Sequence, residues 1–158
     1  MDIQLIIGPN NSGKSLYAEN LAVQNENVPL IYLATMIPQN EENDQRIEKH
    51  KRQRAGKGFR TIEEPWNIHE ISIPSDSIVL LEDASNLLAN GIFIHHSNAE
   101  ECFEQILALS DRCKKLLIVS IGGLTAGNYD SETNHYIEQL NLLNQMLTEI
   151  SSDCKKFS

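Results

Sequence analysis

The segment from Gly8 to Ser15 is the feature that most restricts the fold of this chain. It reads GPNNSGKS, an unbroken match to the pattern GxxxxGK[ST]. The apolar run IQLII at 3–7 precedes it and predicts a buried strand, and a helical pattern over 14–23 follows it. In this strand–loop–helix context the pattern is typical of a phosphate-binding loop, because backbone N–H groups and the helix N-terminus then point at the anion.

Each part of the loop has an expected role in such a site. We expect Lys14 to reach the β and γ phosphates of ATP or GTP, and the Ser15 hydroxyl to bind Mg²⁺. The remaining predicted nucleotide-binding residues of the loop are Gly8, Pro9, Asn10, Asn11, Ser12 and Gly13. The alternative is an ordinary glycine-containing turn between a strand and a helix.

Two acids follow another apolar run and are candidates for the metal site. The sequence IVLL at 78–81 predicts a central strand buried on both faces, and it continues directly into Glu82 and Asp83. A carboxylate at the end of a neighbouring strand commonly holds the metal of a phosphate-binding loop. We favour Glu82, with Asp83 as the second candidate. Helix capping is the alternative role for both.

The rest of the chain predicts an α/β domain. Further strands are expected at 30–34, 68–73 and 116–121, and further helices at 41–54, 99–113 and 131–150. The segment 68–73 alternates as IHEISI, which is the period of a half-exposed edge strand. Short strands alternating with helices predict a mainly parallel sheet flanked by helices. Its 158 residues fit a single nucleotide-binding domain over 1–158.

Charge and cysteine content exclude several classes of protein. The net charge is −9, yet residues 46–60 carry seven Lys or Arg against one Glu. An acidic chain with one basic segment favours a compact anionic ligand and argues against a nucleic-acid partner. Three cysteines without a CxxC pair, and no leader-like start, predict a cytoplasmic protein. No apolar run is long enough to span a membrane.

The basic segment RIEKHKRQR lies in the predicted helix 41–54. Arg46, His50 and Arg54 are spaced four residues apart and therefore share one face. With Ile47 as its only sizeable apolar residue, the helix should lie on the surface or over a cleft. Two guanidinium groups suit phosphate oxygens, and a neutral imidazole is a competent nucleophile toward phosphorus. The alternative is a solvated charged helix with a surface histidine.

Four blocks, in order, resemble the adenosylcobinamide kinase/adenosylcobinamide-phosphate guanylyltransferase family of cobalamin assembly. They are GPNNSGKSLYAENLA, then IYLAT with RIEKHKRQR, then FRTIEEP, then LLEDASNLLAN. The second is similar to the family pattern RIxxHxxxRP, with Ala55 in place of Pro. The third is similar to WxTxEEP, with Phe59 in place of Trp. Later in the chain, LNQML resembles the last family helix.

The resemblance implies a RecA-like P-loop NTPase fold, often trimeric, and two reactions. In one, a nucleoside triphosphate phosphorylates the aminopropanol hydroxyl of adenosylcobinamide. In the other, GMP from GTP passes through a guanylylated histidine onto that phosphate. By its position in RIEKHKRQR, His50 is the residue implied to carry GMP, alongside Lys14 as the second catalytic residue.

The chain departs from the family pattern toward its C-terminal end. After LLIVS it reads IGGLTAGNY in place of NEVGxGIVP, and NHYIE replaces an arginine-rich RxFRD run. Because the chain stops at CKKFS, we expect the final family strand to be missing. Two alternative functions therefore stay open. One is a nucleotide-binding homologue with a regulatory or assembly role that has lost transferase chemistry, and the other is a P-loop kinase for a different small molecule.

Overall fold

The structure is a computed structural model that describes residues 2–24, 27–38 and 40–158. Its strands are β1 (Ile3–Gly8), β2 (Leu30–Ala34), β3 (Phe59–Glu63), β4 (Ile78–Glu82), β5 (Lys115–Ile121) and β6 (Asp153–Lys156). Its α-helices are α1 (Lys14–Val23), α2 (Glu41–Arg54), α3 (Ala84–His95), α4 (Ala99–Ser110) and α5 (Ser131–Ile150). Within the described ranges, no helix is both long enough and apolar enough to cross a membrane.

The six strands form one sheet in the order β3-β2-β4-β5-β1-β6, and every neighbouring pair is parallel. Leu33, Leu81, Ile118 and Leu5 are partners across four successive strands, and each is fully buried. This row belongs to the core that α3, α4 and α5 cover. On the opposite face, α1 covers a second core with its Ala18 and Ala22. The predicted α/β fold with a mainly parallel sheet is confirmed.

The carboxyl ends of the central strands meet at one edge of the sheet. Here β1 ends at Gly8, β4 at Glu82 and β5 at Ile121. Because these strands are parallel, their carboxyl ends lie at the same edge. The P-loop follows β1 at this edge, and Thr35 directly follows β2. Ligands of open α/β sheets bind outside the carboxyl ends of the strands. The fold therefore brings the predicted phosphate loop and the predicted metal-binding acids to one place.

The prediction of a strand at 68–73 is wrong. Ile68–Glu70 form a 3₁₀ turn, and no strand is assigned to the following residues. Ile68 and Ile71, three residues apart, are both buried, which is the period of a tight helix. The guanidinium group of Arg112 donates to the carbonyl oxygens of His69 (2.6 Å) and Ile71 (2.5 Å). A side chain thus satisfies the carbonyl groups that a neighbouring strand would otherwise bind.

The expectation that the final strand is missing is also wrong. β6 pairs in parallel with β1, from Gln4 opposite Asp153 to Ile7 opposite Lys156. Its sequence, DCKK, has no apolar alternation, and lysines are typical of exposed sheet edges. Phe157 then lies over Gly8, where an added Cβ atom would approach the Phe157 Cβ to 2.7 Å. The end of this chain therefore packs on the first residue of the P-loop.

Candidate active site

The P-loop forms a concave cradle between β1 and α1. Gly13 has a φ of 91°, a left-handed conformation that glycine adopts without strain, and Asn11 has a φ of 59°. Lys14 is buried, and its Nζ donates to the Pro9 carbonyl oxygen at 3.0 Å. Successive backbone N–H groups in such a turn converge on an anion. The local geometry therefore suits the phosphate site that the motif predicts.

A cavity of about 340 Å³, which we call the phosphate cavity, opens over this cradle. Two groups of residues line it. The P-loop and the sheet edge contribute Asn10, Asn11, Ser12, Gly13, Lys14, Ser15, Leu16, Met36, Glu82, Asp83, Asn86 and Ile121, and helix α2 contributes Arg46, Lys49, His50 and Gln53. The basic helix and the P-loop thus face each other across one space.

Glu82 meets Ser15 on the wall of this cavity. The Ser15 hydroxyl donates a 2.5 Å hydrogen bond to Glu82 Oε1, while Glu82 Oε2 is buried and has no hydrogen-bond partner among the described residues. Burial, and then the neighbouring Asp83, raise the pKa of Glu82 to about 8 against the opposing effects of Ser15 and Lys14. A buried carboxyl with a free oxygen gains from a bound cation, which favours its charged form.

These oxygens fit Mg²⁺. The ion prefers oxygen ligands, keeps several waters, and is commonly held by one or two protein groups together with substrate phosphates. Ser15 and Glu82 supply two such groups side by side. Among the described residues, no cluster of three or more His, Cys, Asp or Glu could hold a metal by itself. A magnesium ion at this place would accordingly depend on the nucleotide for its other ligands.

Asp83, the second candidate acid, caps helix α3. Its Oδ1 accepts from the Asn86 backbone N–H at 2.7 Å and from the Ser85 hydroxyl at 2.8 Å. Burial raises the pKa of Asp83, and these two hydrogen bonds oppose the shift. The capping role named as the alternative is therefore present for Asp83. Its place on the wall of the phosphate cavity leaves a metal role as a prediction.

Thr35 holds the ends of β2 and β4 together. Its buried hydroxyl donates to the Asp83 carbonyl oxygen at 2.9 Å and accepts from the Asp83 N–H at 3.0 Å. Asn90 on α3 donates to the carbonyl oxygens of Thr35 (2.9 Å) and Pro65 (2.8 Å). The polar residues of IYLAT and of LLEDASNLLAN therefore position the backbone that carries Glu82.

Helix α2 matches the predicted bounds and lies over a cleft, as expected. Asn40 caps it by accepting from the Asn43 backbone N–H at 2.8 Å. Three acids occupy its first turn and three bases its last, the arrangement that a helix dipole favours. Arg54 is its only buried residue. A helix with so little apolar surface is positioned by individual polar contacts.

His50 is partly buried where α2 faces the P-loop across the phosphate cavity. Its Nδ1 is buried without a hydrogen-bond partner among the described residues. Burial lowers the pKa of His50, and Lys49 and Arg54 act in the same direction, while Glu19 and Asp83 oppose them. The neutral imidazole, which is the nucleophilic form, is therefore favoured near neutral pH. The alternative of a fully solvated surface histidine does not describe this residue.

The two arginines predicted to flank His50 lie in different surroundings. Arg46 lines the phosphate cavity and forms an ion pair of 3.5 Å with Glu42 on its own helix. Arg54 is turned into the protein, with its guanidinium carbon 3.8 Å from the centre of the Tyr32 ring and its Nε donating to Thr61 Oγ1 at 3.2 Å. The structure thus brings Arg46 to the P-loop, whereas Arg54 lines an adjoining cavity together with His50.

A second cavity of about 340 Å³ adjoins the first beneath α2. Its lining is more apolar and includes Tyr32, Met36, Pro38 and Ile47. Five residues line both cavities: Met36, His50, Glu82, Asp83 and Asn86. His50 therefore stands at the junction of the two spaces.

Other residues of the predicted motifs make packing contacts or hydrogen bonds within the fold. Trp66 is buried and stacks on His95, with ring centres 5.5 Å apart, while His96 ends α3 in a left-handed conformation. Asn144, from LNQML, accepts from the Ser120 hydroxyl at 2.6 Å and donates to the Ile121 carbonyl oxygen at 2.9 Å. These contacts pack α3 and fix the end of β5 beside the P-loop.

Sequence reasoning did not identify several residues of the site. Gln53 lies three residues after His50 and Asn86 three after Asp83, so helical spacing alone would have placed each beside a predicted residue. Glu19, on α1, is fully buried and contacts α2. Its place in SGKSLYAEN gives no local sign of that contact.

The comparisons with known proteins agree with this architecture. The family described as cobinamide kinase/cobinamide phosphate guanyltransferase matches residues 4–155. No curated protein matches the sequence of this chain.

Among solved structures, the flagellar accessory protein FlaH from Methanocaldococcus jannaschii is similar to this chain with a TM-score of 0.53 and 11% sequence identity. The likeness covers 91% of this chain and 67% of that one. At so low an identity it shows the fold alone, a parallel sheet flanked by helices that agrees with the predicted P-loop NTPase fold. Because the family match spans nearly all of the sequence, the chain belongs to the cobinamide kinase/cobinamide phosphate guanyltransferase family.

Proposed function

We propose that this chain phosphorylates adenosylcobinamide with a nucleoside triphosphate and then transfers GMP from GTP onto the product through guanylylated His50. The observation that supports this most strongly is that His50 lines the same cavity as Lys14 and Ser15. A nucleophile and a cradle for phosphates thus share one space. In this proposal, residues 1–158 act as one nucleotide-binding domain.

The P-loop residues bind the triphosphate. The backbone N–H groups of Asn10 to Gly13, after Pro9, which has none, and the start of α1 surround the phosphate oxygens. Lys14 exchanges its contact with the Pro9 carbonyl oxygen for the β and γ oxygens. Ser15 and Glu82 hold Mg²⁺, which when bound neutralises charge on the terminal phosphates.

In the kinase reaction, the acceptor hydroxyl oxygen attacks the γ-phosphorus. The bond from that phosphorus to the β–γ bridging oxygen breaks, the hydroxyl proton passes to solvent, and the nucleoside diphosphate leaves. The chain contributes little covalent chemistry to this step, so its work is to place the phosphates and to stabilise their charge. Lys14 is the cation that the buried cradle holds for that purpose.

In the guanylyl reaction, the unprotonated imidazole nitrogen of His50 attacks the α-phosphorus of GTP. The bond to the α–β bridging oxygen breaks, pyrophosphate leaves, and a phosphoramidate links His50 to GMP. An oxygen of the cobinamide phosphate then attacks the same phosphorus and releases His50. Arg46 and Lys49, which line the cavity beside His50, supply positive charge to the transferring group.

One observation favours a second candidate, a nucleotide-binding homologue with a regulatory or assembly role. The segment IGGLTAGNY at 121–129 stands in place of the family pattern, and it exposes Leu124 and Tyr129 after the end of β5. A changed acceptor side would leave nucleotide binding intact. The same change is compatible with a P-loop kinase for another small molecule.

Labelled GTP distinguishes these functions. Three proteins are incubated with Mg²⁺ and GTP labelled at the α or γ phosphate: wild type, His50→Ala and the control His135→Ala. The control changes an exposed histidine. We expect acid-labile α label on wild type and His135→Ala but not on His50→Ala. We expect γ label to pass to adenosylcobinamide with all three proteins.

Other results would select an alternative. Equal α labelling of His50→Ala would exclude the histidine as the guanylyl acceptor. Saturable GTP binding without label on the wild type or on adenosylcobinamide would favour the regulatory homologue. Transfer of γ label only to another alcohol in a substrate screen would favour the third function.

A further inference from the structure

Glu19 is a fully buried carboxylate in the middle of α1. Acidic side chains are almost never fully buried in proteins unless they are paired. The helix that carries Glu19 begins at Lys14, so Glu19 is rigidly connected to the phosphate-binding loop. The residues that contact Glu19 therefore show which other element is connected to the phosphate-binding loop.

Both carboxylate oxygens of Glu19 are bound by groups from α2 and the turn after it. Gln53 Nε2 donates to Oε2 at 2.5 Å, and Lys57 Nζ, on a partly exposed side chain, forms an ion pair with Oε1 at 3.2 Å. Gln53 is three residues after His50, and both line the phosphate cavity. Glu19 therefore joins the P-loop helix to the helix that carries the nucleophile.

In the described part of the chain, few other side-chain hydrogen bonds, ion pairs or cation–π contacts join α2 to other elements. Asn43 Nδ2 donates to the Ile37 carbonyl oxygen at 3.2 Å near the start of the helix, and Arg54 packs on Tyr32 near its end. Arg46 pairs within the helix itself. The Glu19 contacts are thus the direct tie between α2 and the P-loop helix, on the side of the helix where His50 lies.

We propose that Glu19 is a positioning residue that holds His50 at the distance from the P-loop required for attack on the α-phosphate. This inference rests on the proposed guanylyl transfer. Reacting atoms must lie within a near-attack distance, and a displacement of about 1 Å can reduce a rate by about 100-fold. Loss of the tie would therefore slow the reaction of His50, while Lys14 and Ser15 would still bind the nucleotide.

The test compares Glu19→Gln, Lys57→Met, the double variant and the control Arg52→Met. Arg52 is an exposed basic residue of α2 outside both cavities. For each variant we measure the single-turnover rate of His50 guanylylation and the GTP concentration that gives half-saturation. Amide hydrogen exchange of residues 41–54 is measured in the nucleotide-free protein, and melting curves verify that each variant folds.

For both single variants we expect guanylylation to slow by about tenfold to 100-fold, with half-saturating GTP changed less than about twofold. The double variant should be little slower than either single one, because both changes remove the same contact. Exchange in 41–54 should accelerate in these variants and stay unchanged in Arg52→Met. Unchanged rate and exchange in Glu19→Gln and Lys57→Met would overturn the proposal.

The exchange measurement separates this inference from the proposed function. If wild type forms no adduct at His50, the guanylyl transfer is wrong, and the exchange rates alone decide whether Glu19 fixes α2. Faster exchange would then support the tie, and unchanged exchange would reject it. If Glu19→Gln does not fold, Lys57→Met decides the same question from the other side of the ion pair.

Discussion

Ser15 Oγ and Glu82 Oε1 are 2.5 Å apart, although 67 residues separate them in sequence. The hydrogen bond joins the first turn of α1 to the end of β4. Because β1 and β4 are both neighbours of β5, the sheet itself brings these two residues together. Their oxygens form the place where a magnesium ion would meet the phosphates of a nucleotide.

The first prediction concerns that ion. In Glu82→Gln, the half-saturating Mg²⁺ concentration for phosphoryl transfer should rise by about tenfold or more, because a neutral amide is a weaker ligand than a carboxylate. Nucleotide binding without Mg²⁺ should not weaken. Titration of Mg²⁺ at fixed nucleotide measures both effects.

Asp83→Asn is the matched control for this experiment. Asparagine caps helices about as well as aspartate, so the helix α3 cap should be retained. If Glu82 is the main protein carboxylate at the metal, Asp83→Asn should change the Mg²⁺ requirement much less than Glu82→Gln. A larger effect of Asp83→Asn would reverse the two roles.

The second prediction concerns Lys14. Lys14→Ala should reduce phosphoryl transfer by about 100-fold or more, because a charged donor aimed at the transferring group is lost from a buried site. Lys114→Ala, which removes a charge at an exposed position, should leave the rate within about twofold of wild type. Steady-state rates with γ-labelled nucleotide test this, and equal rates for both variants would contradict the role of Lys14.

The third prediction is a pH dependence. Burial lowers the pKa of His50 from its ordinary 6.5, and only the unprotonated ring attacks phosphorus. At saturating Mg²⁺, which keeps Glu82 charged, the rate of adduct formation should therefore rise with pH, reach half its maximum below pH 6.5, and stay constant through neutrality. Single-turnover rates across this range measure it, and a midpoint above 6.5 would contradict the described environment.

The same shift has a consequence for stability. The folded state binds the His50 proton less readily than the unfolded state, so this residue reduces stability as pH falls below its unfolded pKa. His50→Ala should therefore lose less stability on acidification than wild type. Denaturant melts at acid and neutral pH compare the two proteins.

The fourth prediction concerns Arg54. Its buried guanidinium packs on Tyr32 and donates to Thr61, so Arg54→Ala should lower the free energy of unfolding by about 2 kcal/mol. Arg52→Ala, on the exposed side of the same helix, should change it by less than about 0.5 kcal/mol. Urea denaturation measures both, and equal effects would show that Arg54 has no structural role.

Local patterns predicted much of the fold. The P-loop motif includes its flanking strand and helix, and α1, β2 and α2 have the predicted bounds. Strand β3, helix α3 and strand β6 were not predicted. FRTIE and DCKK carry charged residues and too little alternation to indicate strands, and they lie at the two edges of the sheet, where burial is slight.

From the sequence, only those features of the site that depend on residue type and helical spacing could be predicted. Placing His50, Arg46 and Arg54 on one face was a statement about a helix, and it could not show that Arg54 turns toward Tyr32. The burial of Glu19 and its contact with Lys57 depend on how α1 and α2 pack. Such long-range contacts leave no periodic signal in the sequence.

Acceptance of GMP by His50 beside the P-loop can be observed directly. The most direct measurement is to incubate the protein with GTP and Mg²⁺, digest it under alkaline conditions that preserve phosphoramidates, and locate the guanylyl group by tandem mass spectrometry. We expect one modified residue, His50, and release of the guanylyl group when phosphorylated cobinamide is added. A guanylyl group on another residue, or an unmodified protein that still binds GTP, would contradict it.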